Sequence, residues 1–279
     1  MLRHKGKGRT YSHNLKLASI LSGVAGIVNI TSILKFKTLT TNITGHFAFF
    51  SEELVLKNYK MAIVYLFYIL FFLFGAFISN LIIECITRYK KQALYVIPVS
   101  IEIFILFTVS LTSSLSTIDS FGFSILIVSS LLFAMGLQNA LVTTVSQSVV
   151  RTTHLTGLFT DLGIDLSRLL FYNRSIEKIQ LIKSIYLKLA IIGCFFIGGL
   201  LGGFVFSDLE LKTLLIPVGL LIFTLRYDQL LFRFYSCTYC SIFLGDRWNR
   251  SLFFQRLKPY SSRHNFCWIR WINSCMFKF

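Results

Sequence analysis

The side chains that could do chemistry are few and lie far apart in an apolar chain of 279 residues. Two short motifs pair a threonine with a glycine: Thr44–Gly45 in NITGHF (42–47) and Thr156–Gly157 in HLTGLF (154–159). Each follows an asparagine inside an apolar run, Asn29 in GIVN and Asn139 in GLQN, and Gln138 stands beside the second. Thr is able to cap a short helix, and Gly permits a turn or a close backbone approach. A helix start of this kind presents unpaired N–H groups and the positive end of its dipole, which favours an anionic or carbonyl-bearing ligand. Asn29, Thr44, Gly45, Gln138, Asn139, Thr156 and Gly157 are therefore the candidate substrate-binding residues. The plainer reading makes the amides interhelical hydrogen-bonding groups and the Thr-Gly pairs ordinary interfacial caps.

Glu102 is the one acid well inside an apolar run. A carboxylate in hydrocarbon is costly unless protonated, paired or facing water, so Glu102 is the candidate proton-coupling group. The structural alternative is a pairing with the basic RYKK stretch at 88–91. His46 and His154 flank the Thr-Gly motifs, where an interfacial imidazole is ordinarily just solvated and a proton relay is the alternative. Asp161, Asp165 and Arg168 follow the second motif at helical spacing and read as a polar face with intrahelical pairs.

Enzyme chemistry finds little support. There is no His-Glu-x-x-His, no Gly-x-Ser-x-Gly and no phosphate-cradling Gly-Lys-Ser/Thr. CTYC at 237–240 is half a zinc site, but Cys267 and Cys275 are too far apart to complete it. Cys85 and Cys194 read as small packed hydrophobes. The chain is expected to be no enzyme and to hold no metal and no cofactor.

The elements that carry these residues follow from composition. The chain is 54% hydrophobic and only 14% charged, and it holds 29 Phe against 3 Pro. Helices of this composition are apolar all round and belong in lipid. Lys and Arg number 28 against 12 acids, a net charge of +16, but they cluster between apolar runs as topology signals do. No basic, aromatic-interleaved module exists, so nucleic acid is excluded as a partner. The partners expected are the bilayer, a small solute and a second copy of the chain.

Charge-poor windows mark six spans: 17–34, 61–83, 93–115, one within 120–150, 189–207 and 211–232. Basic residues before span 1, after span 2 and after span 4 place those segments and both termini in the cytoplasm of a bacterial inner membrane. The loop after span 1 breaks the rule with Lys35, Lys37, Lys57 and Lys60, and a seventh crossing could hide there.

The spans repeat. GIVN and GLQN share Gly-x-x-Asn, and TGHF and TGLF follow them. FFLFG at 71–75 matches FFIGG at 195–199, and IPVSIEIF at 97–104 matches IPVGLLIF at 216–223. Three spans per half is an odd number, so the second half must enter the membrane from the opposite side, as in many secondary transporters. The expected fold is an all-α integral membrane protein: about six transmembrane helices in two inverted three-helix repeats, with re-entrant or interfacial segments after helices 1 and 4. Its parts are a basic cytoplasmic N-terminus (1–16), two repeats (17–119 and 120–233) and a basic Trp- and Cys-containing tail (234–279).

The stretches GLQNALVTTVSQSVVRTTHLTGLFTDLG and SGVAGIVNITSILKFKTLTTNITGHF resemble the two signatures of the YoaK-like family, small bacterial inner-membrane proteins of unknown function. The resemblance covers about 15–233. It implies a multi-span membrane protein and no particular activity. Beyond it the composition shifts: all three Trp and four of six Cys lie there, which reads as a shifted reading frame or as a tail lying on anionic lipid. The function expected is secondary transport or permeation of a small solute, with a membrane scaffold or partner subunit as the rival.

Overall fold

A computed structural model of the chain describes residues 11–88, 96–112, 121–146, 153–171 and 175–226. The chain divides into two compact units, Met1–Gln229 and Leu230–Phe279. The second, with all of the expected tail, lies outside the described residues. So do the N-terminal ten residues and most of the RYKK loop.

The described residues form helices joined by short connections, with no strand among them. The helices are α1 (Tyr11–Phe36), α2 (Ile43–Val55), α3 (Tyr59–Arg88), α4 (Val96–Leu111), α5 (Phe121–Ser146), α6 (Leu155–Phe171) and α7 (Ser175–Leu209). A 3-10 turn, Glu210–Leu214, leads into α8, residues 215–226. Four described segments are long and apolar enough to cross a membrane: Leu15–Phe36, Tyr59–Arg88, Phe121–Thr144 and Glu177–Arg226. The last is broken at Glu210, whose φ of +46° turns the chain out of α7. α4 is apolar but has only 16 residues, about 24 Å of helix against a hydrocarbon core of about 30 Å. α2, with 13 residues, is too short to be a seventh crossing.

α1 and α5 form the centre. Two thirds of each apolar window is buried, against 28% for α3 and 17% for the segment containing α7. The outer faces of α3 and α7 present Phe67, Phe74, Phe77, Phe196 and Phe204, an all-round apolar surface suited to lipid. The burial pattern of residues 21–33 recurs residue for residue at 131–143.

α1 packs most closely on α7, and α3 on α5. The Ser22 hydroxyl donates to the Ile191 carbonyl at 2.7 Å. Gly26 meets Phe195, and Gly202 meets Ile27 and Ile30. The partners rise together along both chains, so α1 and α7 run parallel. In the other seam Gly75 meets Phe133, Gly136 meets Phe72 and Ala76, and Thr144 donates to Asn80. α3 and α5 are therefore parallel too. These contacts need glycine. A Cβ on Gly26 would lie 2.2 Å from the Phe195 carbonyl oxygen, and one on Gly136 would lie 2.2 Å from that of Phe72. Close backbone approach of this kind is how helices associate in lipid, where apolar side chains gain nothing by leaving the solvent.

α2 packs on α3, α6 on α7, and α4 on α5. Two bundles result, α2–α3–α4–α5 and α1–α6–α7, and α1 also touches α5. The 3-10 turn packs on α1, α4 and α7.

Candidate functional site

Asn29 sits seven residues before the end of α1, where its Oδ1 accepts a hydrogen bond from the Thr40 N–H at 3.1 Å. At 1.5 Å per residue, the chain has returned about 10 Å along α1 before α2 begins. The loop 37–42 is thus re-entrant beside α1. Lys37, at φ +54°, makes the reversal. Asn29 therefore serves at least the bland role of tying one bundle to the loop that enters the other.

α2 starts on a cap, but Asn42 provides it rather than Thr44. The Asn42 Oδ1 accepts from the Gly45 N–H at 3.3 Å, while Thr44 is exposed in the first turn. Asn wins because it precedes the first helical residue, where a side-chain acceptor reaches the free N–H groups. Thr156 is likewise exposed in the first turn of α6. A Cβ on Gly157 would lie 2.3 Å from the exposed His154 ring, which would have to turn aside.

Gln138 is buried and donates from Nε2 to the Leu21 carbonyl at 2.7 Å, joining α5 to α1. Its Oε1 and the Oδ1 of Asn139 are buried without a hydrogen-bond partner among the described residues. Glu102 is 1% exposed, its Oε1 is equally unpartnered, and no described cation pairs with it. Most of RYKK, its alternative partner, lies outside the described residues.

These residues do not form one pocket. A groove of about 460 Å³ runs between α1 and α7, lined by Gly26, Ile30, Phe195, Gly199 and Gly203. Asn29 is the only candidate residue on its wall and the only polar side chain there. Thr44–Gly45 belongs to the α2–α3 pair and Thr156–Gly157 to the α6–α7 pair. No group of three or more His, Cys, Asp or Glu able to hold a metal occurs among the described residues.

Two expectations about the polar residues near the Thr-Gly motifs are corrected. Asp165 makes no intrahelical pair. It is buried, accepts from the Ser184 hydroxyl at 2.8 Å and pairs with Lys188, both on α7. Lys188 also reaches the Asp161 carbonyl at 3.4 Å. The apolar face of α6 lies against α7, so an acid near that face finds its cation across the helix interface. His46 is not solvated. It is 1% exposed, and its Nε2–H donates to the Leu39 carbonyl at 2.7 Å. Its ring lies edge-on to Tyr68, with centroids 5.4 Å apart, and 6.1 Å from Tyr65. Burial pushes the imidazole below its ordinary range, opposed in part by the bond to Leu39.

The family model described as Protein of unknown function (DUF1275) matches residues 17–227. The chain belongs to that family, which bears out the resemblance read from its two signatures. No curated protein and no solved structure matches the chain.

Proposed function

We propose that this member of the DUF1275 family is a secondary transporter or permease for a small solute. In this reading six crossings form two inverted three-helix halves in a bacterial inner membrane, with both ends in the cytoplasm. The observation that carries it is the reciprocity of the two seams. Gly136 stands 110 positions after Gly26, and Phe195 stands 123 after Phe72. A Cβ on either glycine would lie the same 2.2 Å from the other half's phenylalanine carbonyl oxygen. Gly75 on Phe133 and Gly198 on Gly23 exchange in the same way, at the same two offsets. The helix directions agree: α1 and α7 would be the first and fifth crossings, α3 and α5 the second and fourth, and each pair is parallel.

The seams join opposite halves, so the moving bodies are the two mixed bundles. They meet where α1 touches α5, with Gln138 bridging to Leu21, and where α4 packs on the 3-10 turn that follows α7. Rocking of one bundle on the other about those contacts would open each face in turn, the usual consequence of inverted repeats. Glu102, buried and unpaired, is the group placed to carry a coupling proton. Asn29 and Asn139 lie before the two crossings of the chain from bundle to bundle, with the Thr-Gly turns just beyond, and these are the solute contacts proposed.

The test is uptake of a panel of small amino acids, sugars and organic anions into vesicles holding the full chain, with and without a pH gradient. Uptake driven by the gradient, and lost in Glu102→Gln while exchange persists, supports the reading. Folded protein that moves no solute and dissipates no gradient leaves the scaffold or partner-subunit reading in its place.

A further inference from the structure

We propose that His46 is a catch whose protonation releases α2 and the loop 37–42 from α3, so that this end of the molecule opens in acid. The inference rests on the geometry of the loop and not on transport.

The carbonyl of Leu39 can only accept, so the Nε2 that meets it carries the proton of the neutral imidazole. Nδ1 is then a bare lone pair, and it is buried without a partner among the described residues. Adding a proton there creates a second donor and a positive charge in a site 1% exposed. A buried, unpaired charge is disfavoured more strongly still than a buried, unpaired polar group.

The surroundings do not offset that cost. On α3 the titratable neighbours are Tyr65 and Tyr68, and Tyr68 meets the ring edge to face. Glu52 and Glu53, on α2 itself, bear electrostatically on Tyr65. The α5 side chains of this cluster are Ile125, Val128 and Leu132, none of them charged. From α1 comes Phe36, while Lys35 is held by Glu210 at 3.0 Å. The one bond from His46 to the loop thus closes a chain of ties: Asn29 to Thr40, Leu39 to His46, and His46 onto Tyr68.

The equivalent place on α6 and α7 is built differently. At the seam offset, Lys188 stands where Tyr65 does and Ile191 where Tyr68 does, while Leu158 of TGLF replaces His46 of TGHF. There the short helix is held by Asp165, Lys188 and Ser184. An imidazole in the buried position is confined to the α2 end, so only that end is expected to respond between pH 5 and 8.

The sign follows from linkage. The closed form disfavours the proton, and the released imidazole has the ordinary value of about 6.5. Acid therefore favours release, by at most tenfold per pH unit, beginning as pH falls below about 6.5. Between pH 7.5 and 5.5 the opening constant rises about tenfold if the closed form stays neutral.

Hydrogen exchange of the full chain in lipid nanodiscs reads this directly. After correction for intrinsic rates, the amides of 43–55 should exchange about tenfold faster at pH 5.5 than at 7.5, with 155–171 unchanged. His46→Gln keeps a donor for Leu39 and cannot titrate, so its α2 should exchange at a pH-independent rate. Glu52→Gln with Glu53→Gln should keep the wild-type response. A flat wild-type profile overturns the proposal. So does a response that survives in His46→Gln, or one that vanishes with the two acids. If His46→Gln does not insert, the wild-type profile and the acid variants still decide.

Discussion

Alanine at Gly136 adds one methyl group, and the structure says what it must displace. Its Cβ would lie 2.2 Å from the Phe72 carbonyl oxygen, with the Phe72 carbonyl carbon at 3.1 Å and the Ala76 nitrogen at 3.2 Å. Ordinary contact begins near 3.4 Å, so α3 and α5 must part by about 1 Å. All three obstacles are backbone atoms, and no rotamer change relieves them. A gap of that size forfeits a quarter to a half of each dispersion contact along the seam. Overpacking of this kind costs about 3 kcal/mol, and the better helix propensity of Ala returns about 1, leaving a net loss of about 2 kcal/mol. Gly193 is the control. It lies in α7 with nothing within 4 Å of its would-be Cβ, so Gly193→Ala should be neutral or gain up to about 1 kcal/mol. Reversible unfolding in mixed micelles measures both. The proposed repeat adds a sharper demand: Gly26→Ala should cost what Gly136→Ala costs, since each Cβ faces a carbonyl at 2.2 Å. Wild-type stability in Gly136→Ala, or equal damage at Gly193, would refute the reasoning.

Asp165→Asn leaves Lys188, largely shielded beside α6, without its counter-charge and should cost about 3 kcal/mol, seen as faster protease cleavage of 155–171; unchanged cleavage would mean the pair holds nothing. Glu210→Gly relieves a left-handed φ of +46°, worth about 1 kcal/mol, and loses a half-exposed bridge to Lys35 worth about as much. Its melting temperature should stay within a few degrees of wild type, and a large drop would show that the bridge dominates. Glu102→Leu removes an unpartnered buried carboxyl and should unfold no more easily than wild type while losing gradient-driven uptake; marked destabilisation would point to an unseen partner for Glu102. For the whole chain, the depressed imidazole of His46 makes stability fall as pH drops below about 6.5, and a pH series on His46→Gln should flatten that slope.

The helices were legible because charge and hydropathy are set residue by residue. Span 1 was placed within two residues of the end of α1, and the two segments after helices 1 and 4 are the helices α2 and α6. The Thr-Gly turns were found where those helices begin, yet the cap was assigned to Thr44 when Asn42 provides it. The difference is one of register, which composition does not fix. The burial of His46 was illegible for another reason. Nothing in NITGHF distinguishes a solvated imidazole from one closed over by Tyr65 and Tyr68, which lie about 20 residues on. The proposed repeat draws on FFLFG and FFIGG, but that match sets Gly75 against Gly199. Under the proposed repeat the contacts pair Gly75 with Gly198 instead, one residue earlier, because it is Gly198 whose Cβ would strike a carbonyl on the neighbouring helix.

That register has a consequence for the two ends of the molecule. Under the proposed repeat the offset grows from 110 at Gly26 and Gly136 to 123 at Gly75 and Gly198, so the second half holds 13 more residues between these points. Four are in α6, which has 17 residues against the 13 of α2. Seven are in α7, which begins 23 residues before Gly198, whereas α3 begins 16 before Gly75. The remaining two are in the connection from α5 to α6. The added turns of α7 carry Glu177 and Lys178, and the last turn of α6 carries Arg168, all exposed. The extension thus lengthens one end with charge, and an ion pair fastens α6 to α7 beside it. At the other end α2 is short, its partner surface is aromatic, and its fastening is a neutral imidazole. Equivalent backbones at the two faces therefore present different chemistry. Opening at the α2 end costs a histidine its burial, and opening at the α6 end costs a lysine its counter-ion. The two faces of an inverted repeat built this way cannot respond alike to acid.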